Sequence, residues 1–238
     1  MPGTPASPGA LHCERHGDVV AITIDDGKVN ALTPELFAGL AGALDRAEGQ
    51  CKALVLAGRP GVFSAGFDLG VLRGDRAGAA ALLRAGFEFA ARVATFPAPV
   101  VIGCTGHAIA MGAFLVLSGD YRIGADGPYA LAANEVAIGM TVPDAAIEIC
   151  RARLSPAHLG RVVLLAERYP PAAAMTAGFL DEVVPAAEVA AAAVQAAGRL
   201  CALDLPAHAA TKQRLRGALA AAVRAAAERD FGGAATAA

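Results

Sequence analysis

Short apolar runs along this chain alternate with longer stretches in which apolar positions recur every three or four residues. Segments 19–24, 53–57 and 100–104 are short apolar runs, the first of them rich in β-branched side chains, and they read as strands. Thr33-Pro34-Glu35 opens a helix with an N-cap hydroxyl, a proline at the first helical position and an acid in the first turn. That helix runs to about Glu48. Leu82, Leu83, Phe87, Phe89 and Val93 mark a second helix that stops before Pro97. Ala113-Phe114-Leu115-Val116-Leu117 is apolar on every side and predicts a buried helix. Strand, turn and helix recur in that order, which predicts an α/β fold. Beyond Leu154 the pattern predicts helices alone. Ser155-Pro156 and Pro170-Pro171 each open one, and Ala-rich stretches at 186–203 and 206–229 supply the longest. The first dozen residues, rich in Pro, Gly and Ala, predict a flexible tail over 1–12.

The chain has 238 residues, 55% of them hydrophobic, with a mean hydropathy of +0.48. Alanine raises these values. Arg, Asp or Glu interrupts each run before about 20 apolar residues accumulate, so no membrane span is expected. No basic region followed by an apolar core stands at the N-terminus, and a cytoplasmic protein is expected. A formal net charge of −2 without a basic stripe argues against nucleic acid as a partner. Cys13, Cys51, Cys104, Cys150 and Cys201 form no CxxC pair and read as small buried hydrophobes. His12 and His16 are four apart but fall on the tail and its edge, and no metal site is expected.

Two turns carry the candidate chemistry. Gly106-His107-Ala108-Ile109-Ala110-Met111-Gly112-Ala113-Phe114 leads from a strand through small residues into the apolar helix. Such a junction leaves backbone N–H groups and the positive end of a helix at one spot, suited to developing negative charge. Phe63-Ser64-Ala65-Gly66-Phe67-Asp68-Leu69 repeats the arrangement after strand 53–57.

These two segments, with Val29-Asn30-Ala31-Leu32, Asp120-Tyr121-Arg122-Ile123 and Asn134-Glu135-Val136-Ala137-Ile138-Gly139, resemble the crotonase superfamily of enoyl-CoA hydratases and isomerases. The resemblance implies a spiral of ββα units over 13–185. A C-terminal helical region over 186–238 would take part in a homotrimer or dimer of trimers. It implies an acyl-CoA substrate with no separate cofactor, coenzyme A being part of the substrate. The backbone N–H groups of Phe67 and Met111 would hold the thioester oxygen, and Glu135 would be the catalytic acid and base. Ala65, Gly66, Asp68, Gly112 and Phe114 would surround the substrate, with Lys28 near the CoA phosphates. Asp68 is also suited to hold its turn by a local hydrogen bond.

The family's hydratases use two glutamates, one just after the second turn and one in the acidic loop, because adding water needs both a positioned water and a proton. Here the first position is Phe114 and only the second, Glu135, is acidic. Moving a double bond needs a single carboxylate, so the closest resemblance is to the Δ3,Δ2-enoyl-CoA isomerases. The alternatives are a divergent hydratase or another acyl-CoA thioester enzyme, and a non-catalytic acyl-CoA binding subunit. Asp144, after Pro143, is a lesser candidate acid and reads better as a first-turn carboxylate facing the helix dipole. Glu148 is a weaker candidate still. Lys212 and Arg214 read as a solvated helix face.

Overall fold

The computed structural model describes residues 9–232. The N-terminal part of the expected tail, 1–8, and the last residues of the expected C-terminal region, 233–238, lie outside the described residues. Strands β1 (Leu11–His16) and β2 (Val19–Ile24) form an antiparallel hairpin, followed by β3 (Ala31–Leu32) and α1 (Pro34–Ala47). Next come β4 (Ala53–Gly58), β5 (Gly61–Ser64), β6 (Gly66–Phe67), α2 (Leu69–Leu72) and α3 (Arg76–Thr95). A third pass gives β7 (Val100–Cys104), β8 (Gly106–Ile109) and α4 (Met111–Ser118). A fourth gives β9 (Tyr121–Asp126), β10 (Leu131–Ala132) and α5 (Asp144–Arg153). Helices α6 (Pro156–Leu165) and α7 (Pro171–Ala177), strand β11 (Glu182–Pro185), and helices α8 (Val189–Leu200) and α9 (Leu205–Phe231) complete the chain.

Each pass places one strand in a main sheet, one in a smaller layer, and a helix outside. The main sheet runs β1-β2-β4-β7-β9-β11 and is parallel from β2 onward. The smaller layer is the parallel set β10-β8-β5 together with the pair β3-β6. This is the ββα spiral that the motifs imply. Strand β4 is buried throughout because both faces are covered. Leu54 and Leu56 face the principal core, while Ala53, Val55 and Ala57 face Ala193, Ala196 and Ala197 of α8. Small residues on both sides of that second contact let α8 lie close on the sheet.

Two expectations change here. Leu11 and His12, assigned to a flexible tail, belong to β1; its side chains are mostly exposed, and it is held by its ladder to β2. The region beyond Leu154 is not helical alone, because β11 adds parallel to β9 at the edge of the main sheet. That strand has only four residues and no fully buried position, so it lacks the apolar run that marks the inner strands. Among the described residues no single helix is long and apolar enough to cross a membrane.

Helix α9 packs on α3 and α5 and is anchored by charge. Lys212 Nζ lies 2.6 Å from Asp120 Oδ2, and Arg216 lies 3.0 Å from Asp120 Oδ1. Both cations are buried, which corrects the reading of Lys212 as solvated; Arg214 on the same helix is exposed. Lys212 also donates to the Ala98 carbonyl, and Arg216 to those of Ser118 and Gly119. Burial pushes the Lys212 pKa down while Asp120 pulls it back up. Removing one partner of such a pair leaves an uncompensated charge indoors. Asp120→Ala should therefore destabilise the fold by about 3–5 kcal/mol, read as a lower urea midpoint. An unchanged midpoint would show that α9 does not depend on this anchor.

Candidate active site

The first turn is built by buried polar groups. Asp26 accepts the backbone N–H groups of Lys28, Asn30 and Ala31, which curls the loop before β3. Asn30 is fully buried with φ +52°, and its amide donates to the carbonyls of Ile24 and Phe63 at 2.8 and 3.0 Å. Ser64 Oγ donates to the Asn30 carbonyl and accepts the Gly66 N–H. Asn30 and Ser64 thus brace the chain where β5 passes into β6. Asp68 then caps α2, its carboxylate accepting the Val71 N–H at 2.9 Å.

The second turn lies directly on the first. Ala110, just before α4, has φ +51° and ψ −123°, a conformation an L-residue adopts only where its surroundings enforce it. A Cβ placed on Gly112 would lie 2.4 Å from the Ser64 carbonyl oxygen, so only glycine lets the start of α4 rest there. Gly66, at φ +91°, has its would-be Cβ 2.9 Å from the Ile109 carbonyl and 3.3 Å from the Met111 nitrogen. The Asp68 N–H donates to Leu32 of β3, so strand alternation turns the Phe67 N–H to the opposite side, where β6 has no neighbour. The Met111 N–H belongs to the first turn of α4, which has no intrahelical acceptor.

Phe67, and Ala110 immediately before Met111, border a cavity of about 150 Å³. Ala65 and Phe67 line it from one turn, Ala110 and Phe114 from the other. Asn134 and Glu135 face it opposite, and Phe87 and Leu83 reach it from α3. Of the lining residues, only Glu135 is ionisable. Glu135 is 7% exposed, and its Oε2 is buried without a hydrogen-bond partner. Loss of hydration pushes its pKa up to about 7, against a small lowering from its own backbone N–H. The Asn134 Oδ1 is also buried and unpartnered. Asn134 was not singled out from the sequence, where its place before Glu135 was the only pointer.

The remaining candidates fall in three places. Gly66 and Gly112 lie behind the wall and shape it, and the Met111 side chain is fully buried in the core. Asp68 caps its helix away from the cavity lining. Asp144 sits in the first turn of α5, its backbone N–H bonded to Asp230 and its carboxylate 3.9 Å from Arg229, with 61% of the side chain exposed. Glu148 pairs with Arg151 on the same helix. Neither acid lines the cavity. Lys28 lines a separate groove of about 470 Å³ with Arg59, His107 and Arg168, and Ala65 is common to groove and cavity. Cys51, Cys104 and Cys150 are buried as expected, whereas Cys13 is exposed and Cys201 half-buried. Among the described residues no group of three or more His, Cys, Asp or Glu is placed to hold a metal ion.

The family model for enoyl-CoA hydratase/isomerase matches residues 14–232. The chain is 30% identical over 207 residues to human mitochondrial enoyl-CoA delta isomerase 1, covering 85% of this chain and 68% of that one. It is 30% identical over 201 residues to a probable enoyl-CoA hydratase of Mycobacterium avium, covering 82% and 76%. Its backbone superposes on an enoyl-CoA isomerase structure from Mtb with a TM-score of 0.89 at 43% identity, covering 96% and 98%.

The raised pKa of Glu135 makes stability depend on pH. The folded state keeps this proton up to about pH 7, while an unfolded glutamate loses it near 4.5. Between those values the folded state binds more protons, so each unit rise in pH subtracts stability from the native protein. At about 1.4 kcal/mol per unit, native protein should lose up to ~3 kcal/mol relative to Glu135→Gln across that window. Urea melts of both proteins from pH 5 to 8 test this, and a pH-independent difference would contradict the burial of the charge.

Proposed function

The chain belongs to the enoyl-CoA hydratase/isomerase family, and within it we propose that the protein is an enoyl-CoA isomerase that moves a 3-enoyl double bond to the 2-trans position. The observation that carries this reading is a cavity with one carboxylate: Glu135 is ionisable, and Phe114, where a second acid would serve hydration, is a buried phenyl ring.

Glu135 takes a proton from C2 of the 3-enoyl thioester. The C–H electron pair moves into the C1–C2 bond, and charge passes to the thioester oxygen. The N–H groups of Phe67 and Met111 donate to that oxygen, in surroundings where little water competes. The carbonyl then re-forms, the C1–C2 π pair moves to make the new C2–C3 double bond, and the C3–C4 π pair takes the proton from Glu135 at C4. A base with a pKa of about 7 suits both halves, since it accepts and releases the proton with little bias near neutral pH. Phe67, Phe87 and Phe114 present apolar rings, and the lining holds no second carboxylate to activate a water. Coenzyme A arrives as part of the substrate. Lys28, Arg59 and Arg168 along the adjoining groove supply the positive charge its phosphates need.

Assayed side by side, the protein should isomerise 3-enoyl-CoA faster than it hydrates 2-enoyl-CoA, and Glu135→Gln should lose about 10²–10⁴-fold in turnover while still binding acyl-CoA. A hydration rate above the isomerisation rate would transfer the protein to the hydratases.

The role of the backbone donor is separable from its side chain. The Met111 side chain fills the core, so Met111→Leu conserves its volume and should remain active. Met111→Pro removes the N–H at a position where a helix accepts proline, and should cost roughly 10²–10³-fold in kcat. A folded Met111→Pro protein with full turnover would contradict the oxyanion role.

A further inference from the structure

The cavity does not end on aliphatic side chains. Two of its lining residues, Phe87 and Phe114, are fully buried aromatics, whereas Leu69, Ile138 and Met140, which also line it, are exposed. The Phe87 and Phe114 rings stack with centroids 6.4 Å apart and planes inclined by 28°. Behind them stands a third ring. Phe231, the last residue of α9, does not line the cavity but stacks on Phe87 at 6.2 Å with planes only 6° apart. Phe67 meets the edge of Phe87 at 6.2 Å and so fixes the ring from the side of the thioester. Phe87 therefore links the cavity, which it lines, to the end of the C-terminal helix, which does not reach it.

We propose that the stack Phe114–Phe87–Phe231 is the chain-length stop of the acyl pocket, and that Phe231 sets the limit on acyl length without touching the reacting atoms. The inference rests on the reading of the cavity as an acyl-CoA site. An acyl tail lying past Glu135 meets the two buried rings of the lining, Phe87 and Phe114. A phenyl ring packed between two others cannot swing aside without losing both stacking partners, so the stop is rigid while Phe231 is in place. Without Phe231, the Phe87 ring gains room to rotate toward the α9 side, and the pocket lengthens.

The test uses saturated acyl-CoAs of increasing length, which bind without reacting. Each methylene that enters an apolar pocket is worth about a four-fold gain in affinity. In the native protein, calorimetry should show that gain continue with chain length and then cease where the tail meets the stack. In Phe231→Ala the plateau should move to longer chains, and in Phe87→Leu further still, with affinity for the shortest acyl-CoA unchanged in Phe231→Ala. Phe231 is half-buried at a helix end, so its variant keeps the proposal testable should Phe87→Leu fold poorly. A plateau at the same length in native protein and Phe231→Ala would overturn the proposal and point to an exit past Leu69 and Met140. Failure of every acyl-CoA to bind the native protein would instead overturn the acyl-CoA reading itself.

Discussion

The site depends on backbone lying against backbone. Two turns far apart in sequence meet because Gly112 leaves the space that a methyl group would take from the Ser64 carbonyl, and Gly66 does the same for Ile109. A close contact of this kind cannot be made by side chains, which would hold the two strand-to-helix junctions apart. Once they meet, Phe67 and Ala110 border one cavity, and the buried hydrogen bonds of Asn30 and Ser64 keep the first turn from relaxing away. The positive φ of Ala110 is the strain this closeness imposes, held by the packing around it.

Burial then decides the chemistry. Glu135 sits among apolar walls and has no cation beside it, so desolvation dominates its pKa. The cations are elsewhere: Lys212 and Arg216 are committed to Asp120, and Lys28, Arg59 and Arg168 border the neighbouring groove. This partition of charge puts a carboxyl with a pKa raised to about 7 next to a groove bordered by three cations, the groove proposed to take the CoA phosphates. It is the arrangement the proposed reaction needs, with a weakly biased proton carrier beside a firmly held anionic tail.

The inner strands and long helices were legible because their signals are local. The run 53–57 shows a strand buried on both faces, and Thr33-Pro34-Glu35 shows where α1 begins. Strands β3, β6 and β10 have two residues each and no pattern of their own, so the second layer of the spiral came from the resemblance and not from periodicity. The edge strands β1 and β11 were missed because pairing, not burial, holds them. At the site, the turn residues and Glu135 stood out through their motifs. Lys212 did not, since an ammonium turned inward toward Asp120 looks the same in sequence as one facing water. Asn134 and the Phe231 stack depend on contacts across long separations that no spacing rule encodes.

Both proposed oxyanion donors are main-chain atoms, and a main-chain N–H is present whatever side chain it carries, proline excepted. Substitutions can therefore reshape the cavity wall without removing the grip on the thioester. The acid at Glu135, the apolar ring at Phe114 and the aromatic stack are all side chains and all open to change. A scaffold of this kind can inherit its anion-holding geometry unchanged while descendants diverge in what they do to the bound chain. Reaction type then becomes a property of a few replaceable residues, and thioester recognition a property of the fold.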